Sequence, residues 1–111
     1  VWTIPTEPLR VPDHIGIDHF AAFPTEWPKR IIRSWSPEGG TVLDPFGGTG
    51  TTAMVAKALG RHGITIDMSA DYCRLADWRT NDRNQLAKVL GLDKIEQQDP
   101  DQLDLFGEAH A

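Results

Sequence analysis

The chain has 111 residues, 40% of them hydrophobic, and a net charge of −5 at pH 7. That length leaves room for one small domain with a thin core, and the acidic balance, with no basic stripe, excludes a surface built mainly to grip nucleic-acid phosphates. A single cysteine, Cys73, excludes an internal disulfide; with no metal-binding cluster, signal peptide or apolar run long enough to span a bilayer, the composition fits a cytoplasmic protein.

The charge is uneven. From Asp93 onward there are six acids and one base, so residues 1–92 hold ten of each. A neutral body therefore carries an acidic tail. A nucleotide-binding sheet usually takes more chain than this, and the lack of an initiator Met at Val1 points to a piece of something longer.

Residues 1–18 contain Pro5, Pro8, Pro12 and Gly16 between isolated apolar residues, the pattern of an extended connector lying on another surface. His19 to Pro24 is apolar and ends at a proline. Thr25 is placed to cap a helix over 26–35, with Pro28 tolerated in its first turn and Trp27, Ile31, Ile32 and Trp35 as its buried face. Ser36 to Gly40 is a turn. A short strand spans 41–44, a glycine-rich loop follows, and a helix over 51–59 is closed by Gly60. A second strand spans 63–66. Ser69 caps a third helix over 70–80, with Tyr72, Leu75, Ala76 and Trp78 available for packing, and a further short helix over 82–90 stops at Gly91. Beyond Leu92 the composition predicts disorder. The division is then a connector over 1–18, an α/β segment over 19–92 and an acidic tail over 93–111.

The chemistry concentrates in TVLDPFGGTGTT, residues 41–52, followed by GITID, residues 63–67. Strand, acid, glycines, helix, strand and acid arrive in the order of a nucleoside-cofactor site made from one β-α-β unit. Gly47, Gly48 and Gly50 remove Cβ atoms where the backbone must turn and approach a ligand, and the next helix aims free N–H groups at the same spot. Asp44 and Asp67 end neighbouring strands, where ligands of open α/β sheets bind. Asp67 has two acceptor oxygens for the two hydroxyls of a ribose. The bland alternative makes the glycines turn residues and the two acids helix caps. A sharper competitor is the dinucleotide fingerprint GxGxxA, which residues 48–53 also fit. Asp44 would repel a pyrophosphate but not the sulfonium and ammonium of S-adenosylmethionine, so these residues favour S-adenosylmethionine.

DPFGGTGTT resembles the cofactor motif of the amino-methylating DNA methyltransferases, which make N6-methyladenine or N4-methylcytosine. GITIDMSADYCRLADWR is similar to their next motif, and HFAAFPTEWPKRII to the one placed just before the cofactor loop. The order is that of the permuted branch, in which the catalytic motif comes first. The resemblance covers roughly residues 1–80. It implies a partial Rossmann-like methyltransferase fold, an open and mostly parallel sheet with flanking helices. By that likeness Asp44, Phe46, Gly48, Thr49 and Gly50 wrap the methionine part of the cofactor, Thr51 and Thr52 open the helix, and Asp67 binds the ribose. His19, Phe20, Phe23 and Pro24 form the wall near the methionine end. His19, Phe23 and Phe46 have plain packing roles as alternatives. Thr49 stands where Ser is common and Asp67 where Glu is commoner, and neither change removes the needed group.

The family's catalytic motif is Asp, Asn or Ser followed by Pro-Pro and an aromatic, and it cradles the amino group of a flipped base. No Pro-Pro occurs in the chain. The expectation is therefore the S-adenosylmethionine-binding portion of a restriction-modification type DNA methyltransferase, inactive alone, with no catalytic residue of its own and no metal. DNA would be engaged through the missing part, as a longer chain or a half supplied in trans. A non-catalytic remnant and a dinucleotide-binding fragment are the alternatives. The sequence does not choose between adenine and cytosine. In the tail, Gln102, Leu103, Asp104, Leu105 and Phe106 resemble the pentapeptide by which bacterial replication and repair proteins dock on the sliding clamp. There two leucines and an aromatic would enter an apolar groove while the glutamine sets register.

Overall fold

The computed structural model describes residues 2–17 and 21–92. Two strands, β1 (Thr41–Asp44) and β2 (His62–Thr65), pair in parallel with Thr41 opposite His62 and Asp44 opposite Thr65. Parallel neighbours need a crossover, and α2 (Thr51–Ala58) supplies it. Both strands consequently end at the same edge. Helix α1 (Glu26–Trp35) precedes the pair, and α3 (Ala70–Asn81) and α4 (Arg83–Val89) follow it. The architecture is α/β, with a small parallel sheet and helices.

α2 is the hub, touching both strands and all three other helices. Its small residues permit this. An added Cβ on Gly63 would lie 2.7 Å from the Ala53 Cα, so helix and strand meet backbone to backbone. The core gathers Ile32 of α1, Met54, Val55 and Ala56 of α2, and Leu86 and Val89 of α4, with Val42 packed against it. Strand side chains alternate between faces. Val42 faces the helical core, whereas Leu43 and Ile64, opposite one another in register, remain exposed on the other face.

The helix ends follow the local sequence. Ser69 Oγ accepts from Tyr72 N at the start of α3, and Asp82 accepts from Gln85 N at the start of α4. Gly60 and Gly91 take positive φ after α2 and α4. Arg61 ties the turn after α1 to the start of β2, donating to the Ser36 carbonyl at 2.8 Å and the Leu59 carbonyl at 2.7 Å. Among the described residues no helix is long and apolar enough to cross a membrane.

Two expectations for α1 are corrected. Thr25 does not cap the helix with its side chain. Its N–H and hydroxyl both donate to Glu7, at 3.1 and 2.8 Å, so a carboxylate from the N-terminal segment satisfies this helix start. The expected buried face is also mostly open. Ile32 and Pro28 are buried, but Trp27, Ile31 and Trp35 are exposed, Trp35 at 84%. Among the described elements α1 packs chiefly against α2, and its apolar stripe is wider than that face. Trp27 stacks on Phe23 instead, with centroids 6.0 Å apart.

The N-terminal segment lies back on these helices. Glu7 also pairs with Lys88 of α4 at 3.3 Å, Arg30 lies over the Trp2 ring, and Arg74 donates to the carbonyl of Ile15, which closes a 3₁₀ turn (Asp13–Ile15). Burial raises the Glu7 carboxyl, but the Thr25 hydrogen bonds and Lys88 outweigh it and hold the group below its ordinary value of 4.5. A depressed carboxyl contributes stability that is complete above the unfolded value and is lost as pH falls through the folded one. Glu7→Gln is therefore expected to cost about 1 kcal/mol at pH 7. The gap between parent and variant in urea midpoint should close as pH drops below 4.5; a gap unchanged down to pH ~3 would show that Glu7 contributes through packing alone.

Candidate cofactor site

The edge where both strands end is knitted by backbone hydrogen bonds. Ile66 N donates to the Asp44 carbonyl at 3.0 Å, and Gly47 N donates back to the Ile66 carbonyl at 2.8 Å. The loop after β1 is thus bound to the segment after β2. Gly47 is required by crowding, since an added Cβ would lie 1.4 Å from Thr65 Oγ1. Gly50 has φ +84° and lies against α3, where a Cβ would sit 2.4 Å from that of Ala76. Gly48, at φ +54°, has open space where its Cβ would point.

The two acids converge on this loop. Asp44 accepts from Phe46 N at 3.1 Å and from the Thr52 hydroxyl at 2.8 Å. Asp67 accepts from Gly48 N at 3.0 Å and from Ser69 N at 2.8 Å. Neither caps a helix: the cap positions are Gly50 for α2 and Ser69 for α3. An ionised carboxylate has about four acceptor positions, so each acid shapes the loop and keeps lone pairs for a ligand. Phe46 (89% exposed) and Met68 (fully exposed) stand beside them as uncovered apolar groups.

Of the residues singled out in the sequence, Asp44, Phe46, Gly48, Thr49, Gly50, Thr51, Thr52 and Asp67 come together here, with Thr49 and Thr51 buried beneath the surface. Phe23 stacks on Trp27 and, with Glu7, Met54, Arg79 and Val89, lines a cavity of about 410 Å³ between the N-terminal segment and the helices, to which no residue of the loop contributes. The carbonyl of Pro24 accepts from Trp27 N at the start of α1. His19 and Phe20 lie outside the described residues, as do Gln102, Leu103, Asp104, Leu105 and Phe106.

One residue escaped the sequence reading. Arg79 of α3 is 3% exposed, and its Nη1 donates to the Thr51 hydroxyl at 2.6 Å, the Thr49 hydroxyl at 2.8 Å and the Thr49 carbonyl at 3.2 Å. Its signal was its phase. It continues the stripe of Tyr72, Leu75 and Ala76 at helical spacing, a cation where the pattern calls for an apolar residue. Burial lowers its pKa to about 10, against a partial restoring effect of Glu7, so it is a cation at neutral pH.

This geometry, a carboxylate ending β1 and another two residues past the end of β2 with a glycine loop between, agrees with the sequence comparisons. Residues 1–77 match the DNA methylase family that comprises the N6 and N4 enzymes. The chain belongs to that family. It is 40% identical over 80 residues to the orphan methyltransferase M.BamHII of Bacillus amyloliquefaciens, covering 71% of this chain and 30% of that protein. It is 40% identical over 79 residues to the Type II methyltransferase M.SmaI of Serratia marcescens, covering 71% and 25%. With the Type II methyltransferase M1.MboII of Moraxella bovis it shares 43% over 67 residues, covering 60% and 26%. The DNA methylase segment described here thus spans between a quarter and a third of these curated relatives. No solved structure matches it.

The loop geometry sets an order of tolerance. Gly50→Ala combines left-handed backbone with collision against the α3 backbone and is expected to cost roughly 2–4 kcal/mol. Gly48→Ala meets no atom and should cost about 1 kcal/mol, the left-handed penalty alone. Urea midpoints of the two variants decide this; equal losses would mean that the contact between Gly50 and Ala76 is not a tight one.

Proposed function

We propose that this chain is the S-adenosylmethionine-binding portion of a DNA methyltransferase acting on the exocyclic amino group of adenine or cytosine. On this reading its sheet is part of a larger Rossmann-like sheet, residues 19–92 form the cofactor segment, and the N-terminal residues connect it to the rest of the enzyme. The observation that carries the proposal is the convergence of Asp44 and Asp67 on one glycine loop at one edge of a parallel strand pair.

The residues suit the cofactor chemically. Asp67 retains acceptor capacity for ribose hydroxyls, and Asp44 offers negative charge to an ammonium and a sulfonium. The open side of Gly48 lets a ligand approach the backbone, and the exposed Phe46 ring offers an apolar cover. Family membership implies S-adenosylmethionine, which when bound supplies an electrophilic methyl group. The chain's own contribution is to bind and orient. Asp67 fixes one end of the ligand, Asp44 and the loop fix the other, and a positioned donor converts an encounter in solution into a pre-aligned reaction. The attacking amino group belongs to the target base, and the Pro-Pro-aromatic cradle for it lies in a segment outside residues 1–111, in the same chain or in trans, which also engages DNA and flips that base. On this reading the enzyme works in the cytoplasm, in keeping with a DNA substrate.

Isothermal titration of the 111-residue chain tests the site. Micromolar binding of S-adenosylmethionine without methylation of DNA is the expected result. Asp67→Asn should weaken binding by about one to two orders of magnitude, the loss of one or two charge-assisted hydrogen bonds, and Asp67→Ala should abolish it. Unchanged affinity in both variants would remove Asp67 from the site. Binding of a nicotinamide or flavin dinucleotide in place of S-adenosylmethionine would replace the reading with the dinucleotide one.

The same reading gives the acidic tail a separate task. Its Gln102-Leu103-Asp104-Leu105-Phe106 sequence supports docking on a bacterial sliding clamp. A synthetic peptide of residues 99–111 should bind purified clamp in fluorescence anisotropy, and its Phe106→Ala form should bind at least about tenfold more weakly, because the aromatic anchor is lost. Equal binding by the two peptides would end the idea.

A further inference from the structure

We propose that Arg79 is a positioning residue that holds the glycine loop in its ligand-accepting shape from below. Arg79 sits in the last turn of α3 and reaches across to Thr49 and Thr51, 30 and 28 residues earlier in the chain. Three acceptors converge on its Nη1. Two are hydroxyls of the loop and of the first residue of α2, and one is the loop's own backbone carbonyl. Thr49 and Thr51 are themselves buried. Gly48 and Gly50, on either side of Thr49, are the positive-φ points at which the loop turns.

A packing role accounts poorly for this arrangement. Arg79 Nε is buried with no hydrogen-bond partner, and a buried guanidinium carries a desolvation cost that an apolar side chain of similar reach avoids. The cavity that Arg79 helps to line leaves room for such a side chain. What methionine or leucine cannot supply is a donor for the Thr49 carbonyl and the two hydroxyls. Those bonds set the loop height relative to α3, while Asp67 fixes the same loop from the other side through Gly48 N. The loop is therefore clamped between a carboxylate at its ligand face and a cation at its rear. Ordering it before a ligand arrives lowers the entropy cost of binding.

That this loop receives S-adenosylmethionine rests on the function proposed above; that Arg79 fixes the loop does not. Two measurements on the 111-residue chain keep them apart. The first is amide hydrogen exchange by NMR in the parent, Arg79→Met and Arg79→Lys. Arg79→Met should lose protection about tenfold or more at residues 47–52 while the amides of β1 and β2 keep theirs, and Arg79→Lys, which restores a cation and three donors, should recover part of it. Uniform loss across the domain, or no change in the loop, would overturn the proposal whether or not any cofactor binds. The second is S-adenosylmethionine affinity, with Leu86→Ala in the α4 core as a control for general destabilisation. Arg79→Met should bind about tenfold more weakly, the equivalent of one charge-assisted hydrogen bond, while Leu86→Ala binds like the parent below its melting temperature. Equal losses in the two variants would reduce Arg79 to a stability residue. A parent chain that does not bind S-adenosylmethionine would overturn the cofactor reading and leave the exchange data to decide the clamp.

Discussion

Everything at the candidate site depends on how closely α2 seats on the parallel strand pair. Gly63 brings the strand backbone against Ala53 with no side chain between them. That contact fixes the crossover, the crossover fixes the parallel sense of β1 and β2, and the parallel sense brings both strand ends to one edge. Asp44 and Asp67 are 23 positions apart in the chain but meet at one loop for this reason. A longer residue at Gly63 or a bulkier one at Ala53 would lift the helix, and the loop it begins from would rise with it.

The loop is held by unlike chemistry on its two sides. At the exposed side the carboxylates accept from backbone N–H groups and from Thr52, which preorganises them without exhausting their acceptor capacity. At the buried side a guanidinium satisfies hydroxyls and a carbonyl that would otherwise be unpaired in the interior. Such a loop keeps its shape with few apolar contacts of its own, as a site that must leave one face open to a ligand requires.

The uncovered apolar groups follow from the same economy of size. Among the described residues the sheet has two strands, with one face covered by α2 and another that carries Leu43 and Ile64 in the open. Trp35 and Ile31 of α1 are exposed as well. Burying such a surface would be favourable by about 25 cal/mol per Å². This agrees with a chain that covers only 30% of the length of the M.BamHII relative.

The sequence by itself determined the order of the helices and strands, the cap at Ser69 and the glycine stops at Gly60 and Gly91, whereas Asp82, expected inside the last helix, caps it. The sequence also placed the residues of the loop, because each of these is a local property of backbone freedom, hydrogen bonding or period. Strand and helix boundaries shifted by only a residue or so, β2 starting at His62 and α4 after Asp82. Tertiary structure decided what local rules do not contain. Thr25 makes no side-chain cap because its own backbone is already helical, and its N–H and hydroxyl donate instead to Glu7, 18 residues away. Trp27, Ile31 and Trp35 follow a helical period, yet whether a period is buried depends on the width of the neighbour that covers it. Arg79 broke an apolar stripe in the sequence, but its role needs partners 28 and 30 residues distant, brought within hydrogen-bonding reach only when α3 packs beside the start of α2.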